Sequence, residues 1–229
     1  MLQKRGFLFI EKNMEKLKYI VVEGIHGSGK SSVAKEIAKV LQEKWLPAEY
    51  LHFPDEESDL GKVIRRVLAD KDLYKNREVL GLLYAAASNS LHIKSKNDGK
   101  IYVLERDAVT TGLIFQRDMP RDTRMQIYKF GIENLRKLGK VIYVKVDRDV
   151  AHERTTRRNN ELAKSDDQVR KDKAGDKFIE EFDKMSLLYE TELMPQLEKL
   201  GLSYEIIENN TTIEEAGQKA MEKLKDMIE

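Results

Sequence analysis

The chain has no cysteine. Disulfides, thiolate metal sites and cysteine nucleophiles are therefore excluded, and the absence agrees with a reducing compartment. There is no surplus of charge of either sign. Lys and Arg number 41 against 40 Asp and Glu, a formal net charge of +1. That leaves no global field to gather nucleic acid or an anionic membrane, so any basic site must be local. No apolar run approaches the ~20 residues of a membrane-spanning helix. Residues 7–10 form a short apolar stretch behind Lys4 and Arg5. It falls short of the roughly 7–15 apolar residues of a secretory signal, and no small-residue cleavage site follows it. Internal repeats, low-complexity linkers and histidines at metal-ligand spacing are also missing. These absences point to a cytoplasmic protein that engages neither nucleic acid nor membrane.

What is present is alternation. Hydrophobic residues make up 41% of 229, enough to fill one sizeable core. YIVVEG (19–24) is a continuous apolar run, as a strand buried on both faces requires. EYLHF (49–53), IYVLE (101–105), VIYVKV (141–146) and YEIIE (204–208) repeat the pattern. Between them apolar residues recur at helical spacing. Val33, Ile37, Val40 and Leu41 do so from about Ser31, and Leu60, Val63, Ile64, Val67 and Leu68 follow with Ser58 or Asp59 as cap. Leu80, Leu83, Tyr84 and Ala87 mark a helix over 77–96, and another spans about 123–138. A long helix over 176–200 carries Phe178, Phe182, Met185 and Tyr189 on one side, and 213–228 close the chain. Trp45, at the end of the first helix, reads as core. Five buried strands alternating with helices predict an α/β fold, a five-stranded parallel sheet flanked by helices. Residues 1–18 read as an N-terminal extension and 19–229 as a single domain. Residues 148–175, dense in charge and poor in large apolar groups, read as a mobile, partly helical basic lid.

One segment carries chemistry directly. GIHGSGKS, residues 24–31, satisfies G-x-x-x-x-G-K-[ST] at every fixed position, and it leaves a buried strand to enter an amphipathic helix. Gly24, Gly27 and Gly29 let the backbone approach phosphate closely. The turned backbone, with Ser28, Ser31 and Ser32 beyond it, presents N–H groups as an anion nest at a helix N-terminus. Lys30 reaches the β- and γ-phosphates, and the Ser31 hydroxyl joins the Mg²⁺ shell. A P-loop NTPase fold is the expectation, with ATP and Mg²⁺ as cofactors. A switch or motor GTPase needs an N-K-x-D element to read guanine, and none occurs; the fourth strand runs into Val146, Asp147, Arg148 and Asp149. A small kinase needs an acceptor pocket and a lid of cations, and a candidate lid is present.

From about Tyr19 to Ile228 the chain resembles the thymidylate kinase family, within the wider nucleoside and nucleoside-monophosphate kinase group. YIVVEGIHGSGKSS resembles that family's FIVFEGIDGAGKTT. HFPDEESDLGKVIRRVL resembles its RFPER…IGKLL, and LLYAAASNS its LLFSANRWE. VLERDAVTTGLIF resembles VVDRYAFSGVAF, and VIYVKVDRDVAHERTTRR resembles LFLDVDPEVALRRIKKR. The resemblance implies γ-phosphoryl transfer from ATP–Mg²⁺ to a deoxynucleoside monophosphate, most simply dTMP, and a homodimer. It carries Tyr84 onto the phenylalanine that stacks on the acceptor base, a role any aromatic face suits. Phe53 and Asp55 fall in the acceptor segment after strand two. Arg106 falls on the arginine that contacts the acceptor phosphate, and Glu105 on the carboxylate that helps hold Mg²⁺.

Three positions depart from that pattern. The arginine after FP is Glu56, the acceptor-helix arginine is Ser88, and the tyrosine of DRY is Asp107. Replacing Arg with Glu opposite a phosphate dianion is repulsive. Deoxynucleoside kinases share the fold and carry ERS where this chain has Glu105, Arg106 and Asp107. They place a carboxylate after strand two as base on a sugar hydroxyl, a role open to Asp55, Glu56 or Glu57. The order and spacing of segments favour the monophosphate kinase, and the local chemistry favours the nucleoside kinase. A non-catalytic nucleotide-binding protein with a decayed acceptor site is the third reading. In the lid, Arg154, Arg157 and Arg158 sit at i, i+3 and i+4, one face of a helix. Their repulsion is relieved by a transferring phosphoryl group, and Arg154 and Arg158 join Lys30 and Arg106 as candidate catalytic cations. His26 occupies a loop position where the family often has Asp, and takes no catalytic role.

Overall fold

The computed structural model describes residues 17–70, 72–162 and 176–228. Its strands are β1 (Tyr19–Glu23), β2 (Ala48–His52), β3 (Ile101–Glu105), β4 (Gly139–Lys145) and β5 (Tyr204–Glu208). All pairings are parallel and the spatial order is β2-β3-β1-β4-β5. The strands lie where the apolar runs predict them, because a strand covered on both faces cannot alternate polar and apolar residues. Every residue of β1 and β3 is buried.

Alternate side chains feed two cores. Tyr19, Val21, Tyr102, Leu104, Val141 and Tyr143 face one layer, and Ile20, Val22, Val103, Ile142 and Val144 the other. The second layer is closed by α1 (Lys30–Glu43) and, at the end of the chain, by the helix over Ile213–Ile228. The first is closed by α2 (Asp59–Ala69), α3 (Arg77–Asp98), α4 (Ala108–Phe115), α5 (Arg121–Ile127) and α6 (Lys129–Leu138). Then come α7 (Arg148–Leu162), α8 (Asp176–Leu188), a π-helical turn (Tyr189–Leu193) and α9 (Met194–Lys199). Ile213–Ile228 is α10. The chain leaves β1 toward β2 and leaves β3 toward β4, in opposite directions across the sheet. The crevice between these adjacent strands, at their carboxyl ends, is where ligands bind in open α/β sheets.

Several local expectations are refined. Of the two cap candidates, Ser58 is the one that works: its Oγ accepts from the Gly61 amide at 3.0 Å. The helix over 176–200 is interrupted by the π turn at Tyr189–Leu193. The helix over about 123–138 is two, α5 and α6, and α4 precedes them. Trp45 is not core: it is 94% exposed, with φ +63°. That left-handed residue reverses the chain after α1, so Leu46, 5% exposed, turns inward instead. Of the predicted lid, α7 is described, whereas Lys164, Arg170, Lys171 and Lys173 lie outside the described residues, as does most of the 1–18 extension. No helix among the described residues is long and apolar enough to cross a membrane.

Candidate functional site

The loop from Gly24 to Lys30 is shaped by close packing. Gly27 and Gly29 have φ +78° and +79°, a region costly for any residue with a Cβ. A Cβ on Gly27 would also stand 2.5 Å from the Ala151 carbonyl, and one on Gly29 2.5 Å from Asn209 Nδ2. Thus α7 and the end of β5 press on the loop from outside. Asn209 Nδ2 holds it by donating to the Ser28 carbonyl at 2.8 Å. Gly29 is the N-cap of α1; no side chain caps this helix and its first turn contains no acidic residue. The free N–H groups and the positive end of the dipole are therefore available to an anion. This is a cradle of the shape and charge a triphosphate needs.

Lys30 and Ser31 open α1 beside the carboxyl end of β3, because β1 and β3 pair with Val22 opposite Glu105. Lys30 Nζ lies 3.9 Å from Glu105 Oε1. Burial, with help from Arg106, pushes the Lys30 ammonium down to about 8, against the pull of Glu105 and Glu23. Burial would raise the Glu105 carboxyl. Lys30 and hydrogen bonds from Tyr50 and Ser31 outweigh it and hold that group below its ordinary range. Tyr50 donates its hydroxyl to Glu105 Oε2 at 2.7 Å. Ser31 and Glu105 thus put one hydroxyl and one carboxylate side by side at the phosphate cradle. No group of three or more His, Asp or Glu among the described residues could hold a metal ion alone. The pair fits a Mg²⁺ that takes its remaining ligands from phosphate and water.

Arg106 follows directly and is held in an unusual conformation. Its φ is +72°, a strain of order 1–3 kcal/mol for a residue with a Cβ, which persists only where the surroundings enforce it. Its amide donates to the Val22 carbonyl at 3.1 Å. Its guanidinium lies 3.5 Å from Glu23 Oε2, donates to the Tyr189 hydroxyl at 3.3 Å and sits over the Phe115 ring at 5.3 Å. Tyr189 in turn donates to Glu23 Oε2 at 2.9 Å, and Thr110 to Glu23 Oε1 at 2.5 Å. Glu23 is fully buried, so its charge has to be paired.

Lys30, Ser31, Glu105 and Arg106 line one cavity of about 610 Å³, together with Phe53, Tyr84 and Arg158. Phe53 and Tyr84 pack at 5.9 Å, ring to ring, and are buried. Tyr84 therefore belongs to the core and to the cavity wall at once. Asp55 is not among these residues. It lines a separate cavity of about 260 Å³ between β2, α2 and α3, and its Oδ1 accepts from the Glu57 amide at 3.1 Å. The three arginines of α7 diverge. Arg158 faces the large cavity. Arg154 donates to the Asn209 and Thr211 carbonyls at 2.9 and 3.0 Å, beside the loop. Arg157 lines an open cleft with Asp149, His152 and Glu161. Ser32 is half-buried on α1.

The three departures from the family pattern are internally matched. Glu56 forms an ion pair with Arg65, which itself lines the large cavity. Ser88 and Asp107 face each other, Oγ to Oδ1 at 3.5 Å. Asp107 caps α4, accepting from the Val109 amide at 2.8 Å. Burial pushes its carboxyl up to about 6, against hydrogen bonds from the Val109 and Ala108 amides. Sequence reasoning missed Arg65 and Arg77 in the cavity wall, and Glu23 and Tyr189 behind Arg106. For Glu23 a signal exists: an acidic residue ending a fully apolar strand needs a buried partner. Tyr189 carries none.

Comparison with known proteins agrees with the geometry. The family model of thymidylate kinase matches residues 22–194. A probable thymidylate kinase of Methanococcus maripaludis strain S2 is 32% identical over 149 residues, 63% of this chain and 68% of the relative. A thymidylate kinase of Ligilactobacillus salivarius is 26% identical over 158 residues, 65% and 75% of the two chains. A probable thymidylate kinase of Pyrococcus horikoshii is 30% identical over 96 residues, 38% of this chain. The chain spans 46% of that relative's length. The family match takes in the carboxyl half of β1, the phosphate loop, the strand carrying Glu105 and the turn carrying Tyr189, about three quarters of the sequence. The chain belongs to the thymidylate kinase family, a family of nucleotide phosphotransferases.

Proposed function

We propose that the chain transfers the γ-phosphoryl group of ATP to the 5′-phosphate of a deoxynucleoside monophosphate, dTMP to dTDP. A single observation carries this. One cavity is lined by the phosphate-loop residues Lys30 and Ser31, the carboxylate of Glu105, the cations of Arg106 and Arg158, and an aromatic pair, Phe53 and Tyr84. The donor's phosphates occupy the loop and the helix end. The acceptor's base lies against Phe53 and Tyr84, and its phosphate meets Arg106. An acceptor phosphate oxygen bonds to Pγ as the Pγ–O bond to the β-phosphate breaks, and ADP leaves. Charge spreads over the equatorial oxygens in that transition state, so positioned cations do most of the work.

Lys30 and Arg158 serve that charge, and Arg106 brings the attacking phosphate into line. Held by Glu23 and Tyr189, Arg106 loses little freedom on binding. Ser31 and Glu105 would hold Mg²⁺, which would supply neutralisation of phosphate charge. Arg65, lining the same wall, is a second cation for the acceptor in place of the arginine replaced by Glu56. A nucleoside 5′-hydroxyl as acceptor would need a carboxylate base beside it. Of Asp55, Glu56 and Glu57, none lines the cavity, which favours the monophosphate.

A coupled ADP-release assay against dTMP, dUMP, thymidine, deoxycytidine and deoxyadenosine tests the reading. Turnover with the monophosphates supports it. Turnover with nucleosides alone would replace it with a nucleoside kinase, and no turnover despite ATP binding with a non-catalytic nucleotide-binding protein.

A further inference from the structure

Tyr50 and Lys35 line the large cavity beside Ser31 and Glu105. Their placement follows from the register of the sheet. β2 and β3 pair with Tyr50 opposite Val103 and His52 opposite Glu105. Side chains alternate along a strand. Tyr50, Val103 and Glu105 therefore project into one layer, the one that α1 covers. On α1, Ser31 and Lys35 are four residues apart and share a helix face. Ser31 bonds to Glu105, and Lys35 Nζ stands 5.3 Å from the centre of the Tyr50 ring. Two residues of the helix thus meet two of the sheet.

The Tyr50 hydroxyl donates to Glu105 Oε2 at 2.7 Å. Burial, and the carboxylate that the phenol faces, raise its pKa, so the shared proton stays on the tyrosine. The bond sets the direction of the carboxylate. With Oε2 held toward β2, Oε1 is the oxygen turned to the phosphate loop, 3.9 Å from Lys30 Nζ. Lys30 and Ser31 already partner the Glu105 charge. The phenol is a third partner, and what it adds is orientation. A hydrogen bond of this kind, made from outside a metal's coordination sphere, fixes how a ligating carboxylate points.

We propose that Tyr50 is a positioning residue for metal binding: it holds Glu105 Oε2 so that Oε1 is offered, beside the Ser31 hydroxyl, to the divalent cation that accompanies ATP. Lys35 steadies the phenol ring from the helix side. The assignment rests on the ATP–Mg²⁺ part of the kinase reading, and not on which acceptor is used. Tyr50 acts through Glu105, so its effect falls on how tightly the cation is held.

The test compares the full wild-type chain with Tyr50→Phe, which keeps the ring beneath Lys35 and removes only the hydroxyl. Mn²⁺, a paramagnetic stand-in for Mg²⁺, is titrated onto the ATP-loaded proteins and followed by electron paramagnetic resonance. ATP binding in EDTA is measured by calorimetry, and phosphoryl transfer to dTMP in parallel. Tyr50→Phe, checked for native circular dichroism, should hold Mn²⁺ about tenfold more weakly or worse while its ATP affinity in EDTA stays within about twofold. Equal Mn²⁺ affinity in the two proteins overturns the proposal. So does a variant that loses ATP affinity as much in EDTA as with metal, because a merely structural hydroxyl would act that way. Wild-type protein that adds nothing to the grip of ATP alone on Mn²⁺ overturns it as well. Weakened Mn²⁺ binding in the variant, with no transfer to any acceptor by wild type, would uphold the positioning role and sink the kinase reading. Transfer to dTMP with Mn²⁺ affinity unchanged in the variant would do the reverse.

Discussion

Tyr189 donates its hydroxyl to Glu23 at 2.9 Å, although 166 residues separate the two in the chain. The same carboxylate oxygen lies 3.5 Å from Arg106, and Arg106 donates back to the Tyr189 hydroxyl at 3.3 Å. A triangle of carboxylate, phenol and guanidinium thus fixes a strained arginine at the mouth of the phosphate loop. The phenol comes from the π-helical turn, a rare geometry that often marks functional sites.

The triangle makes Tyr189→Phe informative. It keeps the ring that stacks on Tyr143 at 5.1 Å and removes only the hydroxyl. A hydrogen bond to a buried charged group contributes about 1.5–3 kcal/mol, so the melting temperature should fall. If Tyr189 positions Arg106, kcat with dTMP should drop by about tenfold, while the Michaelis constant for ATP stays within about twofold. Steady-state kinetics and a thermal melt check both. A stability loss with unchanged kcat would reduce the triangle to a structural role.

Lys30 gives ATP binding a pH dependence of known sign. In the free protein its ammonium titrates at about 8. Bound phosphates favour the charged form and raise that pKa, so binding above pH 8 takes up a proton. Calorimetry in buffers of different ionisation enthalpy should show uptake of roughly one proton at pH 9 and almost none at pH 7. Affinity should fall by about tenfold per pH unit once pH exceeds 8. Lys30→Met should lose the linkage. A proton count of zero at pH 9 in wild type would contradict the placement of Lys30 against the phosphates.

Asp107 makes a prediction about folding rather than activity. Burial raises its folded pKa to about 6, from an ordinary 3.8. Between those values the folded state holds a proton that the unfolded state has released. Stability is therefore full below about pH 4, falls by about 1.4 kcal/mol per pH unit as pH rises to 6, and is level beyond. The total is up to about 3 kcal/mol. Asn at this position still accepts the Val109 amide, so Asp107→Asn should remove that slope and be the more stable form at pH 7. Urea unfolding at pH 4, 5, 6 and 7 measures it. Parallel curves for the two proteins would show that the carboxyl is not the cause.

The strands and the phosphate loop were legible because their physics is local. A strand buried on both faces must be apolar throughout, as YIVVE is, and a backbone that turns at φ +78° and +79° selects glycine at 27 and 29. Ser58 was legible as a cap for the same reason. What escaped depended on side chains far apart in sequence. Nothing near Tyr189 announces Glu23, and nothing near Glu56 says that Arg65 pairs with it. The periodicity of Arg154, Arg157 and Arg158 places three residues on one broad face. Their divergence is decided by what each meets, the Asn209 and Thr211 carbonyls drawing Arg154 away from the cavity that Arg158 lines. Trp45 was misread because hydrophobicity does not report the left-handed turn that exposes it.

The account stands on the loop at residues 24–31 gripping a triphosphate. Titrating ATP with magnesium into the wild-type chain and into Lys30→Ala, in a calorimeter, tests this most directly. Wild type should bind with a saturable heat at submillimolar ATP. Lys30→Ala, with the same circular dichroism spectrum, should bind at least about tenfold more weakly through loss of a buried charge–phosphate contact. No heat from wild type at millimolar ATP or GTP would contradict the account at its base.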